Sequence, residues 1–276
     1  MKFQQLPAAF RIFFSFILLS CASRPYHHSN KIYNRQVRSI AKTIRLQPQN
    51  NVVADSLKKT ADWVGAVHFG IRKPNFVIIH HTAQNSCEQT LRTFTDQKKQ
   101  VSAHYVICRD GKLYHMLSDY LRAWHAGSGK WGNLTDVNSS SVGIEIDNNG
   151  VEPFSEAQLN VLIGLLDTLK KQYNIPSPNF IGHADIAPSR KADPGVLFPW
   201  KRLAEKGFGL WYGDTASINI PPDFNTGIAL RIIGYDITDE GAAITAFRRH
   251  FLQAEKAGEL TDPEKKILYA LMLKQL

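Results

Sequence analysis

Asn75-Phe76-Val77-Ile78-Ile79-His80-His81 is a short β-branched run that ends in two imidazoles, and it constrains the fold more than any other stretch of the chain. Such a run suits a buried strand. Ser141-Val142-Gly143-Ile144-Glu145-Ile146-Asp147 reads as another strand. His104 to Cys108, Arg109-Asp110-Gly111 and Lys112 to Met116 read as strand, turn and strand of a hairpin. Between the strands, Ser86 to Lys98 has Leu91 and Phe94 on one helical face. Ser155-Glu156-Ala157-Gln158 has the form of a capping box, opening a helix through Lys171 whose buried face is Leu159, Leu162, Ile163 and Leu166. Strands alternating with helices in this order predict an α/β layer structure, not a sandwich or a bundle.

Beyond Trp211 the texture changes. Asn225 to Ile233, Glu240 to Leu252 and Pro263 to Leu273 are short amphipathic segments, the last behind a capping box at Thr261-Asp262-Pro263-Glu264. They predict a small helical domain over residues 213–276, either a packing appendage or a binding module. With 276 residues in all, one medium domain over 60–212 plus this small one fits the usual size of a single core.

The first twenty residues read as an address. Lys2 and Arg11 precede Ile12-Phe13-Phe14-Ser15-Phe16-Ile17-Leu18-Leu19-Ser20, an apolar run too short to cross ~30 Å of hydrocarbon as a helix. It ends in Leu18-Leu19-Ser20-Cys21, which resembles the bacterial lipobox, so residues 1–20 are expected to be a signal peptide and Cys21 a lipidated N-terminus. Residue 22 is Ala and not Asp, which by resemblance to diderm lipoproteins points to the outer membrane, facing the periplasm. Residues 21–59, rich in Ser, Asn, Gln and Arg without a sustained period, suit a tether. Cys87 and Cys108 are then either a disulfide, which an oxidising compartment would permit, or two buried small hydrophobes.

Two of the ten histidines stand at strand ends: His80, and His183 after Asn179-Phe180-Ile181-Gly182. Ten residues past His183, a proline-punctuated loop brings Asp193 back toward the same edge. Two imidazoles and one carboxylate are the donor set of a catalytic zinc, in which the fourth tetrahedral position stays open to water.

Five blocks carry a resemblance. Val77-Ile78-Ile79-His80-His81-Thr82-Ala83, Ser102-Ala103-His104-Tyr105, Trp124-His125-Ala126-Gly127, Val142-Gly143-Ile144-Glu145 and Gly182-His183-Ala184-Asp185 running on through Asp193-Pro194-Gly195 together resemble the zinc-dependent N-acetylmuramoyl-L-alanine amidases of the Amidase_2 family, in their AmiD-like lipoprotein form. The resemblance implies a mixed central β-sheet flanked by helices, one Zn2+ per chain held by His80, His183 and Asp193, and Glu145 and Lys191 as the catalytic pair. In that scheme the ion lowers the pKa of water from ~15.7 toward ~7, Glu145 acts as general base and then acid, and Lys191 stabilises the oxyanion. His81 and Thr82, the two positions after the first ligand, are expected at the substrate. His104 and His125 either line the cleft, orient ligands, or are core histidines satisfied by backbone.

The implied substrate is the amide between the lactyl group of N-acetylmuramic acid and L-alanine, in peptidoglycan or muropeptides, with the chain a monomer held to the membrane by lipid on Cys21. The surplus of 33 Lys+Arg over 24 Asp+Glu, +9 overall and +7 once Lys2 and Arg11 are removed, is compatible with carboxylate-rich stem peptides. A non-catalytic peptidoglycan-recognition protein would lack a zinc ligand, whereas all three are present here. Nucleic acid is excluded as a partner because no recognition helix or aromatic-basic array accompanies the charge.

Overall fold

The computed structural model describes residues 25–45, 67–68 and 70–276. The signal-peptide reading and Cys21 lie outside the described residues. The chain divides into two units, Met1–Val67 and His68–Leu276.

In the first unit the described structure is one helix, α1 (His27–Arg45), within the segment read as a tether. Tyr33, Val37, Ile40 and Ile44 recur at helical spacing along one side, and Lys31, Arg35, Arg38, Lys42 and Arg45 fall on the other. Lys42 and Arg45 in the last turn also suit the negative end of the helix dipole. No helix among the described residues is long and apolar enough to cross a membrane.

The second unit is built on a five-stranded sheet of order β3-β2-β4-β1-β5. Its strands are β1 (Phe76–His81), β2 (Tyr105–Ile107), β3 (Leu113–His115), β4 (Ser141–Ile146) and β5 (Phe180–Gly182). The β2–β3 hairpin is antiparallel and every other pairing is parallel, so the sheet is mixed. Helices α2 (Cys87–Thr95), α3 (Val137–Ser140), α4 (Glu156–Tyr173), α5 (His183–Ile186) and α6 (Trp200–Glu205) accompany it.

Alternation decides what each sheet face does. Val77 and Ile79 of β1, with Val142, Ile144 and Ile146 of β4, join Leu159, Leu162, Leu165, Leu166 and Leu169 of α4 in the main core. A fully buried leucine contributes about 1.5–3 kcal/mol by removal from water, so α4 is held mainly by this stripe. Its capping box at Ser155 and Gln158 is formed as the sequence predicts, and Asn174 ends it in the left-handed conformation. Ile78 faces the opposite way, against Ile181, Ile186, Ala126 and Val137. His80 follows Ile78 onto that second face, where the covering layer is loops and short helices.

Cys87 and Cys108 form a disulfide, with Cα atoms 5.3 Å apart, tying the start of α2 to the end of β2. The three C-terminal helices are α7 (Thr226–Ile233), α8 (Glu240–Phe251) and α9 (Asp262–Leu273), packed around Leu230, Phe247 and Leu268. Arg248 is wholly buried among them. Its guanidinium donates to both Glu264 carboxylate oxygens and to the carbonyls of Lys256, Gly258 and Glu259.

Candidate metal centre

Parallel register brings the site together. Residue for residue, β1 pairs with β4 so that His80 lies beside Glu145, and with β5 so that Ile79 lies beside Gly182. His183 is the next residue, at the first turn of α5. Three chemically active side chains thus leave one row at the carboxyl ends of parallel strands, the usual location of sites on such sheets. Asp193 returns to that row on the loop after α5, where the Ala184 N–H donates to the Asp193 carbonyl at 2.8 Å.

His80 Nδ1, His183 Nδ1 and Asp193 Oδ2 are mutually 3.0 Å apart. They form the one His/Cys/Asp/Glu group among the described residues placed to hold a metal ion, and all three residues are buried. Ligands about 2.0–2.1 Å from a tetrahedral ion lie about 3.3 Å from one another, close to this spacing.

The outer ring nitrogens fix the tautomers. His183 Nε2 faces the Ala126 carbonyl oxygen at 3.3 Å, which only accepts, so Nε2 carries the proton and Nδ1 a lone pair. For His80 the argument runs through a relay. The Ser141 hydroxyl donates to the Val137 carbonyl at 2.7 Å, leaving its oxygen to accept from His125 Nε2 at 3.2 Å. His125 Nδ1 is then the acceptor for the His80 Nε2 proton at 3.1 Å. His80 Nδ1 is therefore also a lone pair. Burial, with His183 adding to it, lowers the His80 pKa to about 4, so the ring is neutral at pH 7. Burial and neighbouring His80 likewise hold His125 far below its ordinary value. Two lone pairs and a carboxylate oxygen converging without a proton between them fit a cation.

Glu145 stands next to this group with Oε2 buried and without a hydrogen-bond partner among the described residues. Burial and then the Asp193 charge raise its pKa well above the usual carboxylate value, while Lys191 opposes them. Asp147, just past the end of β4, has a partner in Arg109 at 2.9 Å. Lys191, just past the turn after α5, is half-buried.

The expected substrate contacts divide. His81 is half-buried at the sheet edge, with Nδ1–H donating to the Pro194 carbonyl at 2.9 Å, and Gly150 and Gly195 lie against its ring. The Thr82 hydroxyl is spent on bracing: it donates to the Asn148 carbonyl and accepts from the Gln84 and Asn148 amides. His104 and His125 do not line a cleft. His104 is 0% exposed, accepting from the Gly143 N–H at Nδ1 and donating to the Leu121 carbonyl from Nε2. His125 is 9% exposed with both ring nitrogens engaged. His104 extends β2, its backbone paired with Gly143 and Met116, and the His125 backbone is seated by Asn138.

Sequence reasoning missed Ser141, Asn138 and Gly143. Asn138 Oδ1 accepts the backbone N–H groups of His125 and Ala126 and so seats the relay ring. Gly143 makes room for it: a Cβ there would lie 2.4 Å from His125. A glycine inside a β-branched strand is the available signal, since it marks a close approach.

The family Amidase_2, described as N-acetylmuramoyl-L-alanine amidase, matches residues 70–196. The chain is 34% identical over 232 residues to N-acetylmuramoyl-L-alanine amidase AmiD of Escherichia coli strain K12, a match spanning 72% of this chain and 82% of that one. The chain belongs to the Amidase_2 family. Among solved structures, the complex of Escherichia coli AmiD with anhydro-N-acetylmuramic acid-L-Ala-D-gamma-Glu-L-Lys is similar at TM-score 0.66 and 31% identity, covering 78% of this chain and 93% of that one. AmpDh3 from Pseudomonas aeruginosa in complex with an anhydromuramic pentapeptide is similar at TM-score 0.65 and 28% identity, covering 78% and 97%. Both likenesses extend over the catalytic sheet and beyond it, as the coverage shows.

Proposed function

We propose that this N-acetylmuramoyl-L-alanine amidase hydrolyses the lactyl–L-alanine amide of peptidoglycan or its muropeptides with one zinc ion held by His80, His183 and Asp193. The observation that carries the reading is the convergence of His80 Nδ1, His183 Nδ1 and Asp193 Oδ2 beside a Glu145 oxygen that has no partner among the described residues. Zinc suits a donor set of two neutral imidazoles and one carboxylate. When bound, the ion supplies Lewis-acid polarisation and makes water acidic enough to attack near neutral pH.

The chain's own groups do the rest. Glu145, its pKa raised, takes the proton of the attacking water and returns it to the departing L-alanine nitrogen as the C–N bond breaks. The Lys191 ammonium opposes the charge that builds on the lactyl carbonyl oxygen. His81, half-exposed and fixed through Nδ1, offers Nε2 to the stem peptide.

A cell-wall substrate places the amidase in the envelope, and the Cys87–Cys108 disulfide suits an oxidising compartment. Lipid on Cys21 would anchor it to the outer membrane, with catalysis in residues 60–212 and the helices in 213–276. The bound anhydro-muropeptide of the similar AmiD structure makes such fragments the first substrates to assay.

The test is digestion of purified sacculi with and without a chelator. New L-alanine amino ends without new reducing sugars, lost on chelation and restored by zinc, are expected; reducing ends alone would refute the amidase reading. Asp193→Ala should abolish hydrolysis while retaining muropeptide binding, and unchanged hydrolysis would refute the ligand assignment.

A further inference from the structure

Asp185 lies two residues after His183, yet it points away from the metal centre and into a buried polar knot. Its side chain is 3% exposed. Oδ2 accepts the Gly182 N–H at 2.7 Å, which locks the junction between β5 and α5 where His183 sits. The remaining partners come from the C-terminal helices. Tyr235, just past α7, donates its hydroxyl to Asp185 Oδ1 at 2.8 Å, and His250 of α8 meets Oδ2 through Nδ1 at 2.8 Å.

Each partner is itself immobilised. The His250 ring stacks on Trp200 at 4.0 Å with 10° between planes. The Tyr235 ring packs edge-on against Trp131 at 5.0 Å. Gly182 has no free space: a Cβ would meet Pro194 Cδ at 2.8 Å, with Trp200 and Asp185 next. The end of β5, the loop bearing Asp193 and the knot therefore form one packed block.

An appendage held only by apolar contact would not need this. Burying a carboxylate, a phenol and an imidazole costs free energy unless the hydrogen bonds are directional and complete. Here the Tyr235 hydroxyl and His250 Nδ1 are both spent on the residue that fixes the ligand-bearing junction, while His250 Nε2 is buried without a hydrogen-bond partner among the described residues. We propose that the C-terminal helices are a clamp on the metal centre, in which Tyr235 and His250 are positioning residues that hold His183 through Asp185. This inference rests on the metal reading above and deepens it.

The test uses the full chain and two readouts besides turnover: zinc affinity by chelator competition, and the visible spectrum of the cobalt-loaded protein. Tyr235→Phe and His250→Leu should each weaken zinc by about 10-fold or more and alter the cobalt spectrum. His250→Asn, which supplies an amide N–H close to the Nδ1 position, should restore most of the affinity. Leu268→Ala, in the buried core of α9 away from Asp185, should lower the melting temperature and leave affinity and spectrum as in the wild type. Tyr235→Phe and His250→Leu with wild-type affinity and spectrum would overturn the clamp, as would equal loss in Leu268→Ala. A wild-type chain that takes up no zinc would overturn the metal reading and this inference with it.

Discussion

Replacing His125 with Leu removes the acceptor of the His80 Nε2 proton while keeping a buried side chain of fair volume. The His80 side chain is 2% exposed, so water cannot take over that role, and an unsatisfied buried donor costs about 1–3 kcal/mol. His80 can escape the cost by moving its proton to Nδ1, but that nitrogen faces His183 and Asp193 at 3.0 Å and would no longer have a lone pair for an ion. Either route is paid in metal affinity, by about 10–100-fold, or ~1.4–2.7 kcal/mol. The assay is zinc competition at fixed pH, with muropeptide turnover as a second readout. Ser141→Ala should show a smaller loss alone and none further in the His125→Leu background, because the relay is already cut. A His125→Leu protein that binds zinc within about twofold of wild type would refute the tautomer argument, since loss of an outer hydrogen bond should cost about tenfold.

Gly143→Ala should resemble His125→Leu in zinc competition, because the new Cβ would lie 2.4 Å from that ring. Glu264, whose bonds to Arg248 bring its pKa to about 2 from 4.5, contributes stability that is complete above about pH 4.5 and is lost as pH falls through about 2. Glu264→Gln should therefore lose about 2–3 kcal/mol in denaturant melts at pH 7, with the gap to wild type closing toward pH 2; a gap independent of pH would contradict the pairing. Exchanging both Cys87 and Cys108 for Ala opens a link across a sequence separation of 21 and should cost about 3 kcal/mol in the same melts.

The strands and the ligand triad were legible because they are marked locally. Val77-Ile78-Ile79 announces a buried strand, and His80 and His183 stand where such runs stop. The pairing that sets Glu145 beside His80 was not local, and neither was the difference between Glu145, on β4, and Asp147, just past its end. The arrival of Arg109 and the Thr82 hydroxyl at Asp147 distinguishes them. His104 and His125 resemble cleft residues in a string of letters, because the partners that hold their rings, Gly143 and Leu121 for one and His80 and Ser141 for the other, come from distant parts of the chain. Helices α3 and α5 have four residues each, too few to display a period. Helix α1 does have one, at Tyr33, Val37, Ile40 and Ile44, but it is diluted by polar residues. The link between Cys87 and Cys108 stayed open since it depends on a Cα separation that only the fold supplies.

All the reactive groups issue from one rim of the sheet because β1, β4 and β5 run in the same direction. At the other rim, Asn179 braces the Asn75 carbonyl at 2.8 Å, and exposed Lys73 lies nearby. A fluorophore or a bead linker coupled at position 73 would face away from the cutting edge, so the enzyme could be immobilised on a support and still be offered whole sacculi.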